Sequence, residues 1–208
     1  MSNEIDIEGL IVEAGIFLDK FKYAKSIQAA FEAASAMTED DPRHVKVQNI
    51  LFSAVQKSQY SITTLKTLGR YYTLRGLYDD AMVTYTSALR LSRSTKTRAE
   101  LFAECASVLM TSVNEGRFEN EADKNKRLVN AAEYLESALE SGANPAATYS
   151  SLMHLYALKG NEERALFCAQ KIVTHFGYNN EHAAIARKLL EEAAGFDKPS
   201  GSKPHLLH

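Results

Sequence analysis

The sequence predicts an all-α protein. Apolar residues recur at spacings of three and four along almost the whole chain, and sustained alternation of period two is absent. Ala, Leu, Glu and Lys prevail over β-branched runs, so propensity agrees with pattern. Capping and breaking residues divide the pattern into about ten segments.

The first helix, near 4–19, carries Ile7, Leu10, Ile11, Ala14 and Leu18 on one stripe that runs on to Phe21. A second, near 22–38, has Phe31, Ala34 and Ser35 on its contact face. Asp41-Pro42 places a capping side chain before a proline suited to a first turn, which opens a helix near 42–58 around Val47, Leu51 and Ala54. Gly76 parts the helices 61–75 and 78–92, and Gly116 follows the helix 97–114. The next helix, 123–141, ends before Gly142, and Asn144-Pro145 starts 145–159. Gly160-Asn161 turns the chain into 162–176, and Gly177 precedes a last helix near 180–194. The segment 195–208 is rich in Lys, Pro, Ser and Gly and is expected to be disordered. One domain over 1–194 is the organisation these elements imply.

Short turns between many helices invite a search for self-similarity. From Ile62 to Thr95 the chain reads ITTLKTLGRYYTLRGLYDDAMVTYTSALRLSRST. Gly69 and Ala81 lack bulk, so two antiparallel helices can approach closely while Leu65, Leu68, Tyr72, Tyr85 and Ala88 fill the surrounding space. This window resembles the tetratricopeptide repeat, although Arg93 and Ser94 stand where that family usually closes with a proline. A shift of 34 residues back from Ile62 finds Phe31, Ala34 and Ser35, then Val47, Leu51 and Ala54. A shift of 37 forward finds Phe102, Cys105, Ala106 and Leu109, paired with Ala131, Leu135 and Ala138, which arrive 13 residues late. The inserted stretch GRFENEADKNKR, around 116–127, reads as an enlarged turn or as longer helices. Tyr149, Leu152, Met153 and Tyr156 with Ala165, Ala169 and Ile172 make a further unit, and Ala183, Ala186 and Leu190 a closing helix. The resemblance spans roughly 22–194, is specific at 62–95, and implies an α-solenoid of about four helical hairpins with capping helices at both ends.

Composition narrows the function classes. With 208 residues, 45% hydrophobic, 24% charged, 10 Gly and 4 Pro, the chain is neither collagenous nor of low complexity. Cys105 and Cys168 lie apart within helical patterns and offer no disulfide framework, which points to a reducing, cytoplasmic setting. The acidic start and the absence of a long apolar run predict no export signal and no membrane insertion. The net charge of −2 conceals blocks: residues 1–41 sum to −6, 42–98 to +8, 99–145 to −5 and 146–208 to +1. The basic block is either an attractive surface for an acidic partner or is neutralised by its neighbours after folding.

In the family that the window resembles, first helices line a concave groove that takes peptides or partner helices. Carried onto this chain, the groove residues are Thr63, Lys66, Arg70 and Thr73, then Ser107 and Met110, then Ser150 and His154, with Glu100, Ala103 and Ala147 beside them. Lys66 and Arg70 lie four apart on one helical face, where two cations repel unless an anion is near. Their alternative is a pair of solvated heads on stems that cover apolar neighbours. The family's clamp for chaperone C-termini pairs Lys with Asn, and Arg70 stands in place of that Asn. The basic cluster Arg90, Arg93, Lys96 and Arg98 lacks interleaved aromatics, so nucleic-acid binding is not expected. Asp79-Asp80 suits a helix N-terminus, and Cys168 and His175 lie too far apart along one helix to act as nucleophile and base. No phosphate loop, paired metal ligands or zinc-protease spacing occurs, so neither cofactor nor catalysis is expected. The reading is a protein-interaction adaptor for a partner segment, an acidic peptide or helix among the candidates, with self-association left open. The rival readings are a dedicated chaperone shielding an apolar client segment, in which Leu109 and Met110 would matter most, and an all-helical enzyme with a closed polar pocket.

Overall fold

The computed structural model describes residues 5–176 and 181–196. Among them the chain forms ten α-helices and no strand. These are α1 (Ile7–Asp19), α2 (Tyr23–Ser35), α3 (His44–Lys57), α4 (Ile62–Leu74), α5 (Tyr78–Leu91), α6 (Thr95–Asn114), α7 (Glu121–Glu140), α8 (Pro145–Leu158), α9 (Glu162–Phe176) and α10 (Glu181–Phe196). Each expected helix is present, with ends shifted by a few residues. Gly195 and Phe196 extend α10, whereas Gly177 and the rest of the expected tail, 197–208, lie outside the described residues.

Local chemistry sets the boundaries. Asn144 Oδ1 accepts hydrogen bonds from the Ala146 and Ala147 amides at 3.0 and 3.2 Å, with Pro145 in the first turn of α8, as the sequence implies. Asp41-Pro42 behaves differently, because α3 begins at His44 and not at 42. The Asp41 carboxylate is spent on Arg43, accepting its amide at 2.9 Å and pairing with its guanidinium at 2.6 Å. That partner holds the Asp41 carboxyl down at about 2. The inserted stretch resolves as length: α6 and α7 have 20 residues each, against 13 and 14 in α4 and α5.

The chain divides into two compact units, Met1–Ser141 and Gly142–His208, where the sequence alone suggests one domain over 1–194. In the first unit every helix from α1 to α7 packs on the next, and α2 also meets α4 while α1 meets α3. Consecutive packed helices joined by short turns run antiparallel. The turns α1–α2, α3–α4 and α5–α6 therefore share one edge, and α2–α3, α4–α5 and α6–α7 share the other. Two recesses report this arrangement. One is lined by residues of the first two turns of the first edge, the other by residues of all three turns of the second edge. The core of this unit holds Leu51, Tyr71, Tyr85 and Leu101, all essentially inaccessible.

Gly69 is the close-approach position. A Cβ built there would lie 2.8 Å from Tyr85 Cζ, so α4 and α5 meet at a contact that only a hydrogen can occupy. In the second unit α8 packs on α9 and α10 on both, and Leu155, Ala169 and Ile172 are buried. Arg164 there donates to the Tyr156 hydroxyl at 3.2 Å and lies over its ring.

Candidate partner-binding surface

The two cations singled out on α4 are not free. Lys66 Nζ reaches Glu100 Oε2 on α6 at 2.6 Å, and Arg70 Nη2 reaches Glu104 Oε1 on the same helix at 2.6 Å. Helical spacing puts Lys66 and Arg70 on one face of α4 and Glu100 and Glu104 on one face of α6, so the four form a two-rung ladder. The Lys66 ammonium holds the Glu100 carboxyl below its ordinary range, and Glu104 raises the Arg70 guanidinium above its own. The Tyr85 hydroxyl donates to Glu104 Oε2 at 3.5 Å, joining the ladder to the ring that confronts Gly69. Lys66, Arg70, Glu100, Ala103 and Glu104 line an open recess of about 340 Å³. The anion that this cation pair requires is supplied by the chain itself, which removes the premise for an acidic partner at this spot.

The remaining groove residues fall in different settings. Thr63 is exposed and lines the recess at the first edge instead. Thr73 is half-buried and returns its hydroxyl to the Gly69 carbonyl at 3.0 Å, as a threonine inside a helix does. Ser107 is exposed, but Met110 is only 8% exposed and belongs to the interior, which corrects its place on the binding surface. Its side chain falls on the same face of α6 as the buried Ala106 and Val113, and that face is turned inward. In the second unit Ser150 is half-buried and His154 is exposed on α8.

Sequence reasoning did not single out Glu104, although residues 66 and 100 and residues 70 and 104 are each 34 apart. The shift read between these two units is 37, as from Leu65 to Phe102, so it leads from Lys66 to Ala103 and from Arg70 to Ser107 and passes over both partners. Sequence reasoning also missed a recess of about 810 Å³ between α1 and α2. Ile5, Leu10 and Phe31 form its apolar part, and Asp6, Glu13 and Glu32 its rim. Asp6 also caps α1 by accepting the Gly9 amide at 2.9 Å, and Glu32 accepts from Gln28 at 2.7 Å.

A smaller polar cavity of about 180 Å³ lies at the second edge, where Glu39, His44, Arg75, Tyr78, Glu115 and Arg117 converge. His44 is buried, with Nε2 3.0 Å from the Thr38 carbonyl and Nδ1 unpartnered. Burial holds its imidazole below the ordinary range, with the charge of Arg75 adding to the effect. Burial and the neighbouring Glu115 push the Tyr78 hydroxyl up to about 12. These side chains are occupied in joining three turns: the Arg75 guanidinium donates to the Glu39 carbonyl, and Tyr78 bonds Glu115. Among the described residues no group of three or more His, Cys, Asp or Glu is placed to hold a metal ion, and no helix is long and apolar enough to cross a membrane.

No family model matches the chain, and comparison with curated proteins gives no match.

Proposed function

We propose that the protein is a helical-repeat adaptor of the tetratricopeptide type, whose solenoid-like stack holds a segment of a partner protein. The observation that carries the reading is the ladder of Lys66–Glu100 and Arg70–Glu104, whose members stand 34 residues apart. Glu32 on α2 and Lys66 on α4 also stand 34 apart, the shift that relates Phe31 to Leu65. Alternate helices related by one repeat length, with a glycine at the tight contact inside the hairpin, are what a stacked-hairpin architecture requires.

The partner chemistry follows from the two recesses. The ladder recess is charge-balanced, so it offers hydrogen-bonding groups of both signs and no net attraction for acids. The α1–α2 recess combines half-exposed Leu10 and Phe31 with an acidic rim, which suits an amphipathic segment bearing apolar side chains flanked by Lys or Arg. A preformed surface leaves most of the ordering entropy to the partner.

Selection from a random peptide display library tests this. Wild-type protein should enrich peptides with apolar residues at helical spacing and a positive net charge. Leu10→Asp with Phe31→Asp should abolish their binding while the far-ultraviolet circular dichroism spectrum stays unchanged. Enrichment of acidic peptides, or binding indifferent to that pair of substitutions, would defeat the proposal.

A further inference from the structure

The fold sorts charge between the two edges of the first unit in a way that the linear blocks of charge do not show. The edge with the α1–α2, α3–α4 and α5–α6 turns carries Lys20, Lys22, Lys25, Lys57, Arg93 and Lys96, every one exposed. None of these six forms an ion pair among the described residues. Asp19 and, at the end of α7, Glu140 share the edge as exposed opposing charges. Helices α2, α4 and α6 begin here and α1, α3 and α5 end here, so the helix dipoles offset one another and the charge of this edge comes from its side chains. The opposite edge holds exposed Glu39, Asp40, Asp79, Asp80, Glu119 and Glu121, together with half-buried Arg43 and Arg75 and exposed Arg117.

The basic edge also displays aromatic rings. Phe21 is 75% and Tyr60 54% exposed, at the tips of the α1–α2 and α3–α4 turns. Both sit at positive φ, 56° and 58°, a conformation that Asn or Gly adopts far more readily than an aromatic residue. Exposed rings at such positions add little to the core and carry backbone strain. Strain of this kind is a pointer to a role outside folding. Between the two turns Lys22, Lys25 and Lys57 open onto a recess of about 690 Å³ that Ser58, Ser61 and Thr63 also line, without a carboxylate.

We propose that this edge docks onto an anionic lipid surface, with Phe21 and Tyr60 entering the headgroup layer and Lys22, Lys25 and Lys57 meeting lipid phosphates and carboxylates. The charges are spread along three successive turns and not gathered around one pocket, which suits an array of headgroups better than a single small anion. Aromatic rings seat at the interface between headgroups and water, and unpaired lysines there add electrostatic attraction. This surface is separate from the recesses assigned to a protein partner, and the proposal does not rest on that assignment.

The test is flotation of the full chain with vesicles of phosphatidylcholine alone or with about a third phosphatidylserine, at roughly 0.05 M and 0.5 M salt. Binding is expected only to the anionic vesicles and only at low salt. Each lysine near such a surface changes affinity about fivefold, so Lys22→Glu with Lys57→Glu should weaken binding at least ~25-fold. Phe21→Asn with Tyr60→Asn should also release the protein, while its thermal unfolding midpoint holds or rises because Asn tolerates positive φ. Absence of binding to anionic vesicles, or binding that survives either pair, overturns the proposal. So does tighter retention of a single-stranded RNA, or binding of inositol hexakisphosphate that matches vesicle binding and ignores the Asn substitutions.

Discussion

Replacing Gly69 by alanine probes the contact on which the α4–α5 hairpin depends. The new Cβ would stand 2.8, 2.9 and 3.0 Å from Cζ, Cε1 and Cε2 of Tyr85. Carbon atoms in comfortable contact lie about 3.5–4.0 Å apart, so the ring or the helix must retreat by roughly 0.5–1 Å. Tyr85 is fully buried and cannot swing into solvent. Overpacking of a buried contact costs about 1–3 kcal/mol, against which alanine returns up to ~1 kcal/mol of helix propensity. Gly15→Ala supplies the control, since Gly15 is inside α1 and nothing lies within 4 Å of its built Cβ. It should gain the propensity term alone. The two variants should therefore differ by about 1–3 kcal/mol in urea unfolding followed by circular dichroism, with Gly69→Ala the less stable. In a Tyr85→Leu background the difference should shrink, because the ring that receives the clash is gone. If Gly69→Ala is as stable as Gly15→Ala, the close-approach argument fails and the hairpin register fails with it.

Three further outcomes follow from the same structure. Lys66→Glu should destabilise the protein and Lys66→Glu with Glu100→Lys should restore it, with a coupling of about 0.2–1 kcal/mol in a double-mutant cycle, as befits a half-exposed pair. Burial keeps the His44 imidazole neutral below its ordinary value of 6.5. Its contribution is therefore complete above pH 6.5 and is lost as the pH falls below that value. Acid titration of the thermal midpoint should show this loss, and His44→Gln should flatten the curve in that range. Burial pushes the thiols of Cys105 and Cys168 up to about 12 and 11 respectively. A thiol reagent at neutral pH should leave both unmodified in the native protein and label both in urea, as followed by mass spectrometry.

Helix content and helix ends were legible because they depend on near neighbours in the chain. Asn144-Pro145 capped α8 as written, since the cap and its amides lie within three residues. Asp41-Pro42 carried the same signal and did not cap, because Arg43 competed for the carboxylate at still shorter range. Lys66 and Arg70 were legible as a shared face but not as a neutralised one. Their partners sit on another helix, and only the tertiary fold brings Glu100 and Glu104 to 2.6 Å from them. Met110 looked like a surface residue at its repeat position, yet it lies on the buried face of α6 with Ala106 and Val113.

Periodicity, caps and small residues are properties of a local stretch, and they determined ten helices, their turns and the glycine that lets one hairpin close. Which charges meet, which stay unpaired and which apolar side chains remain outside depend on distances between segments remote in sequence. Packing alone decided that the cations of the middle of the chain would be partly neutralised by α6 and partly gathered with Lys22 and Lys25 on one edge. Electrostatic and solvation energies follow separation in space, and the linear order of residues does not contain that separation until the helices have stacked.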